Sequence, residues 1–352
     1  MKAALTAILR RAKERHAISR CVLGISGLAI DEVIVCDETD LALHGSACIE
    51  DRFLLTSVTK AVTAAQIHTL VADGRLDPHA PVSETVPEFG ANGKQRVTPF
   101  QILTHTSGVD PRLCNGIERL GGVQTRGHHF ARLCQAPLAS TPGTQVDYCS
   151  PPFWVLAELI ERVSGMSYTQ HYQERIAAPL GLESTRYEPG PLPVGQYVLP
   201  DDQDHRAVGE QVRQLSYPAG GLVGDTRDLL RFGYAHLEPV SGFLSADALA
   251  ELSKPATVGL LGVRAPSEGI WPTQRTFGWA MGGPGNLRSD LTLWHSGSSG
   301  TSLWVEPERA VTIAFLSASW HPKPDMLAGI LDGVLEAWDD AMRLTADAPL
   351  GG

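Results

Sequence analysis

Three short stretches carry side chains whose types and spacing suit acyl chemistry. In "SVTK", Ser57 and Lys60 stand three residues apart. On a helix that spacing puts both on one face, so the Lys60 amine can reach the Ser57 hydroxyl. A serine becomes a nucleophile only when something accepts its proton, and a nearby amine, or a phenolate that the amine stabilises, can do so. In "YCS", Tyr148 supplies a phenol, with Ser150 two residues further on. In "WHSGSSG", the tripeptide His295-Ser296-Gly297 follows Trp294, precedes Ser298 and ends a β-rich run. A helix starting at Ser57 would add N–H groups that favour negative charge developing beside the nucleophile.

Each stretch alone has an ordinary explanation: a solvated lysine, a core tyrosine, a histidine in a surface turn. All three together, in helix, loop and strand contexts, are seldom an accident and point to an activated, nucleophilic serine. The other candidates give less. His128-His129 has no third ligand at a metal-site spacing and reads as a polar loop, so no metal is assigned. Cys149 reads as a small, partly buried filler. Gly220 and Gly221 lack a phosphate-loop context and read as a tight turn. A G-x-S-x-G elbow is absent.

The elements around these stretches set the expected architecture. The opening "MKAALTAILRRAKERHAISR" reads as an amphipathic helix, and "CVLGISG" and "DEVIVCDETD" as paired strands. A helical period runs from about Ala61 to Val71 until Gly74, with Thr56 or a neighbour as its cap and Ser57 in its first turn. From Leu76 to Tyr217, "TPFQILTHTSG", "PPFWVLAELIERVSG" and "TQHYQERIAAPLGL" carry helical periods between Pro and Gly punctuation. Beyond Gly220 the text returns to β-branched and aromatic runs, and "PDMLAGILDGVLEAWDDAMRL" closes with a helix. The expected fold is α/β (α+β): an antiparallel sheet flanked by helices, built from residues 1–75 and 218–352, with a helical region, 76–217, inserted between its halves. The active site would lie at their junction.

Composition limits the partners. The chain has 352 residues, 43% hydrophobic and 19% charged, enough for a substantial core, and its formal charge of −10 is dispersed rather than blocked. Nucleic acid and anionic membranes are disfavoured as partners, and a small-molecule acyl substrate, with or without an acyl acceptor, fits better. No apolar run is long enough to span a membrane, and the N-terminal segment is too charged for a secretory signal. Cys21, Cys36, Cys48, Cys114, Cys134 and Cys149 form no CxxC pair and read as reduced thiols. A cytoplasmic location is expected, and no cofactor is needed. Trp154, Trp271, Trp279, Trp294, Trp304 and Trp320 read mainly as core, with Trp294 the first choice for an acyl-pocket wall.

On these motifs, over roughly residues 20 to 340, the sequence resembles the serine β-lactamase and penicillin-binding-protein superfamily, in its class C-like branch of esterases, D-amino-acid peptidases and transesterases. "SVTK" is similar to that branch's S-x-x-K, "YCS" to its Y-x-N loop and "HSG" to its K-T-G strand. "GRLDPHAPVSETVPEF", "ILTHTSGV" and "PAGGLVGDTRDLLRF" resemble its connecting text. The resemblance implies Ser57 as the acylated nucleophile, Lys60 as proton acceptor or electrostatic partner, and Tyr148 as the proton shuttle to the leaving group. Lys60 beside Tyr148 would favour phenolate, and which of the two is the base stays open. The implied oxyanion hole is the backbone N–H of Ser57 and of Ser298.

Two departures bear on substrate. Ser150 stands where lactam-hydrolysing relatives have Asn, and His295 where a Lys commonly helps bind a carboxylate. With Ser150, His295, Ser296, Gly297 and Trp294 as the substrate-binding set, the expected substrates are esters, thioesters or neutral amides, hydrolysed or transferred. The alternatives are a β-lactamase or D-specific peptidase and, in another class, a non-enzymatic scaffold on the same fold.

Overall fold

A computed structural model describes residues 1–16, 18, 20–27, 30–36, 49–113, 125–190, 197–198, 203–263 and 274–346. Cys48, Cys114 and Trp271 lie outside the described residues. The first third holds α1 (Lys2–His16), β1 (Val22–Gly27), β2 (Ile30–Cys36), β3 (Phe53–Leu54) and α2 (Thr59–Ala72). Residues 76–217 hold α3 (Pro99–Leu103), α4 (Arg126–Gln135), α5 (Phe153–Ser164), α6 (Tyr168–Tyr172), α7 (Ala178–Leu180) and α8 (Gln203–Gln214), together with two short strands, β4 (Gln145–Asp147) and β5 (Arg186–Tyr187). The remainder holds β6 (Leu222–Gly224), α9 (Thr226–Tyr234), α10 (Ala246–Leu252), β7 (Leu261–Val263), β8 (Arg275–Thr276), β9 (Trp279–Met281), β10 (Leu293–Gly297), β11 (Thr301–Glu306), β12 (Val311–Leu316) and α11 (Pro324–Ala346).

Both ends of the chain build one seven-stranded antiparallel sheet, ordered β2-β1-β12-β11-β10-β9-β8. Alternation along each strand sorts its residues to two faces. Leu23, Ile25, Trp304, Ile313 and Phe315 pack beneath α1 and α11 with Leu5, Ile8, Leu331 and Trp338. Val22, Leu293, Leu303, Val305, Ala314 and Leu316 point the other way, into a larger cluster with residues of α2, α5 and α9. That cluster also takes in Phe89, Trp154 and Tyr172 of the 76–217 segment, so one apolar interior runs from the sheet into the inserted helices.

α2 is buried on every side from Thr59 to Leu70, as expected of a helix at the centre of a large core. The chain reaches it through β3, which pairs with β6, while the Leu55 N–H donates to Leu222 O at 2.8 Å. β6 pairs in turn with β5, so the 76–217 segment contributes a strand to the sheet that aims the start of α2. α9 is capped by Asp225, whose carboxylate accepts the Asp228 N–H at 2.9 Å. Among the described residues, no helix is long and apolar enough to cross a membrane.

Candidate active site

Ser57 lies in a tight 3₁₀ turn, Thr56–Val58, that runs directly into α2. The turn and the helix begin without a side-chain cap, so the expected capping by Thr56 is corrected. Thr56 instead sits at φ +40°, a left-handed conformation rare for a β-branched residue, and its hydroxyl points at the β10–β11 turn. There Thr56 Oγ1 accepts the Ser299 N–H at 3.2 Å and meets Ser299 Oγ at 2.9 Å. Ser299 Oγ donates to Leu54 O at 2.5 Å and Thr301 Oγ1 to Leu55 O at 2.8 Å. The end of β10 is pressed so close that a Cβ on Gly297 would lie 2.2 Å from Thr56 Oγ1 and 2.4 Å from Leu55 O. Ser298 stands between two residues, Gly297 and Ser299, that are both in contact with the nucleophile's turn.

Lys60 is 1% exposed. Its Nζ donates to Ser57 Oγ at 2.8 Å and to Ala219 O at 3.2 Å, in the turn that Gly220 and Gly221 close onto Tyr217 O. The same Nζ lies 4.9 Å from the centroid of the Tyr148 ring and 5.6 Å from that of Phe153. The S-x-x-K spacing and the distant tyrosine therefore converge.

Tyr148 is placed by a residue that sequence reasoning passed over. His105, at φ +57° just after α3, accepts the Asp147 N–H on its carbonyl at 2.8 Å and the Cys149 N–H on Nδ1 at 3.1 Å. It thus holds the backbone on both sides of Tyr148, with the two rings 4.5 Å apart. Burial, then the nearby Arg275, Lys60 and His295, push the His105 imidazole well below its ordinary range, so Nδ1 is free to accept and Nε2 carries the proton. Its trace in the sequence is "ILTHTSG", which carries a histidine between threonines.

β10 presents its residues to opposite faces. His295 shares the face of Leu293, toward α2, and its ring centroid is 6.3 Å from that of Tyr148. Burial and the charges of Lys60 and Arg275 keep it well below the ordinary histidine range, so it is a neutral group here. Its Nδ1 is 3.2 Å from Ser296 O, while Nε2 is enclosed without a partner. Trp294 and Ser296 belong to the other face: Trp294 packs with the α1 and α11 residues, and both line a cavity of about 810 Å³ bounded by Met281, Arg288 and Leu327. Ser57, Lys60 and Tyr148 are not among that cavity's walls. Ser150 is half-buried two residues after Tyr148, and its carbonyl accepts the Phe153 N–H at 3.1 Å as α5 begins.

Arg275, on β8, is the second residue that the motifs did not announce. It is 3% exposed, and its guanidinium carbon lies 5.4 Å from the Tyr148 ring centroid. Burial lowers it to about 10, so it stays charged at neutral pH. Its trace in the sequence is an arginine within "QRTFGWAMGG", a run otherwise suited to a buried strand.

The remaining candidates have structural roles. His128 and His129 lie on α4 rather than in a loop: the His128 ring completes a capping box with Thr125, and His129 stacks on Trp154 at 5.8 Å. Cys149 is buried, its Sγ donating to Val109 O at 3.4 Å.

A family model described as Beta-lactamase matches residues 49–334. The chain is 31% identical over 148 residues to the D-alanyl-D-alanine-carboxypeptidase/endopeptidase AmpH of Escherichia coli K12, a match covering 39% of this chain and 37% of that protein. It is 30% identical over 268 residues to Esterase EstB of Burkholderia gladioli, covering 65% of each. The matches thus span little over a third of the first relative's length and just under two-thirds of the second's. Among solved structures it shares the fold of EstCE1, described as a hydrolase with promiscuous acyltransferase activity, with a TM-score of 0.76, 21% identity and coverage of 94% of this chain and 97% of that one.

Proposed function

The chain belongs to the Beta-lactamase family of serine hydrolases, and from that premise we propose that it opens carboxylic esters, thioesters or neutral amides through an acyl-enzyme on Ser57. The 2.8 Å contact between Lys60 Nζ and Ser57 Oγ carries the reading, because it joins a half-exposed hydroxyl to a buried amine at the mouth of a core helix.

In the proposed reaction Ser57 Oγ attacks the acyl carbonyl carbon while its proton passes to Lys60 or, through it, to Tyr148. The carbonyl oxygen takes up negative charge and is held by the Ser57 and Ser298 amides, which the Thr56–Ser299 contact keeps together. As the tetrahedral adduct collapses, Tyr148 returns a proton to the departing oxygen, sulfur or nitrogen. Water then attacks the acyl-enzyme by the reverse path, or an acceptor alcohol or amine does so where it outcompetes water. Acyl transfer is supported by the description of EstCE1.

Two features favour esters over β-lactams: Ser150 in place of an amide side chain, and a neutral His295 where a fixed cation would hold a lactam's carboxylate. The peptidase reading draws its support from AmpH. Mass spectrometry after incubation with p-nitrophenyl butyrate, butyryl thioester and a chromogenic cephalosporin separates them. The ester should add a butyryl group to Ser57 and turn over faster than the cephalosporin. An adduct elsewhere would remove Ser57 from its role, and faster cephalosporin turnover would reverse the substrate preference.

A further inference from the structure

The cavity of about 810 Å³ along β10 has a built wall, the loop 282–292 between β9 and β10. Two carboxylates fix that loop. Glu306, fully buried, accepts the Ser289 N–H at 2.8 Å and the Thr292 hydroxyl, and Asp332 accepts the Asn286 N–H at 2.7 Å and the Leu287 N–H at 2.9 Å. Gly283, at φ +97°, sits against the Trp294 indole, where a Cβ would come within 3.0 Å of Cδ1. A loop held at so many points sets the shape of the hollow in advance, and the volume falls in the range of small-molecule sites.

Its chemistry is apolar. Met281, Leu291, Trp294, Pro322, Pro324 and Leu327 stand in its walls. Among the described residues that line it, the one cation is Arg288, and that guanidinium is spent on its own loop: Nε donates to Gly283 O at 2.9 Å and Nη1 to Asp290 at 3.1 Å. The two carboxylates among these walls, Asp290 and Asp325, belong to exposed residues. An uncharged alkyl or aryl group matches such a space, because it gains burial and leaves no charge unpaired.

β10 connects the cavity to the reacting groups. Ser296 lines it, and the next residue, Gly297, packs against Thr56 in the nucleophile's turn. Pro322, also in the wall, follows His321, whose N–H donates to Ser298 O at 2.6 Å. Among the described residues β9 pairs with β10 only at Leu293 and Trp294, so past Trp294 no neighbouring strand divides the side of His295 from the side of Ser296. Tyr148 stands across from His295, 6.3 Å between ring centroids. The atom that Tyr148 protonates therefore lies against this end of β10, and what that atom carries continues along the strand toward Ser296 and the cavity.

We propose that this cavity is the subsite for the departing alcohol, thiol or amine, and that it selects substrates whose leaving part is a sizeable apolar group. The inference rests on the Ser57 acyl-enzyme reading, with Tyr148 as proton donor, and narrows its substrate class. Deacylation retraces the same path, so an acceptor alcohol enters by the same subsite: its oxygen bonds to the acyl carbon as the bond to Ser57 Oγ breaks, and its proton returns to Ser57 by way of Tyr148 and Lys60.

The test grows one arm of the ester at a time. From ethyl acetate to hexyl acetate the kcat/KM should rise about 10–100-fold, the size expected from burying the added methylenes, while ethyl hexanoate should gain far less over ethyl acetate. Ala328→Trp, which puts an indole into the cavity from α11, should collapse the hexyl-to-ethyl ratio. Should that variant not fold, 1-hexanol should raise the KM of the unsubstituted protein for p-nitrophenyl acetate at concentrations where ethanol leaves it unchanged. A flat acetate series, a hexyl preference that survives Ala328→Trp, a preference for ethyl hexanoate that Ala328→Trp removes, or equal indifference to the two alcohols would overturn the proposal. Failure of p-nitrophenyl butyrate to acylate Ser57 would instead sink the hydrolase reading beneath it.

Discussion

Thr56 and Ser299, 243 positions apart in the chain, share a hydroxyl contact of 2.9 Å, and the Ser299 amide donates to Thr56 Oγ1 at 3.2 Å. This pair ties the turn that presents Ser57 to the turn that follows β10, and so sets the spacing of the two amides proposed to hold the oxyanion. Thr56→Val keeps the shape and removes the hydroxyl, leaving a buried N–H unpaired. The expected cost is about 1–3 kcal/mol of stability, with kcat lower by about 10²-fold as the two amides lose alignment. Thermal unfolding and ester kinetics on one preparation check both, and an unchanged kcat would show that the clamp does not govern the oxyanion site.

Ser57→Ala removes one oxygen from a half-buried position and should leave folding intact while ester turnover falls by several orders of magnitude. Circular dichroism and mass spectrometry of the acyl adduct decide it; retained turnover refutes Ser57 as nucleophile.

Tyr148→Phe keeps the ring beside His105 and Lys60 and deletes only the phenol oxygen. A fall in kcat of about 10²–10⁴-fold is expected, with the larger loss for poorer leaving groups, which need the proton more. A rate loss independent of leaving group would assign proton delivery to Lys60.

His105→Phe should weaken the site without touching it directly. It preserves a ring against Tyr148 but deletes the acceptor of the Cys149 N–H, and it forces a residue poorly suited to φ +57° into that position. Expected is a fall in kcat of up to about 10²-fold with little change in KM, because Tyr148 drifts from its reactive geometry. His105→Asn, which tolerates the left-handed conformation and offers a carbonyl oxygen, should recover part of the loss. No recovery would mean that the imidazole is needed for more than positioning.

Stability should fall as pH drops below about 6.5. Desolvation holds His68 and His171 near about 4 and His236 near about 3, and keeps His105 and His295 well below the ordinary value of 6.5. Below pH 6.5 the unfolded chain therefore binds protons that the folded chain refuses, so stability rises with pH through the window from about 4 to 6.5 and is fully present above it. Urea midpoints between pH 7.5 and 4.5 should decline across that range. A flat profile down to pH 5 would contradict neutral burial of these histidines.

Much of this was legible without coordinates because it is local. Ser57 and Lys60 are three residues apart on one helical face, a relation that periodicity alone carries, and the β-branched and aromatic run "TSLWVEPERAVTIAFL" marks strand, which the fold divides into β11 and β12. Thr56 does not cap α2 because its hydroxyl finds a partner in Ser299, which no window around residue 56 contains. The two faces of β10 likewise depend on what packs above and below: parity says that Trp294 and His295 diverge, but only the positions of α2 and α11 decide which one meets Tyr148. His105 and Arg275 went unremarked for the same reason. A histidine's backbone grip on Tyr148 and an arginine buried against the same ring are properties of neighbours brought together across the chain, where burial sets the value of every charge and hydrogen bond. Composition and spacing named the candidate reacting groups; the enclosed space around them keeps His105 and His295 neutral and brings Lys60 against Tyr148.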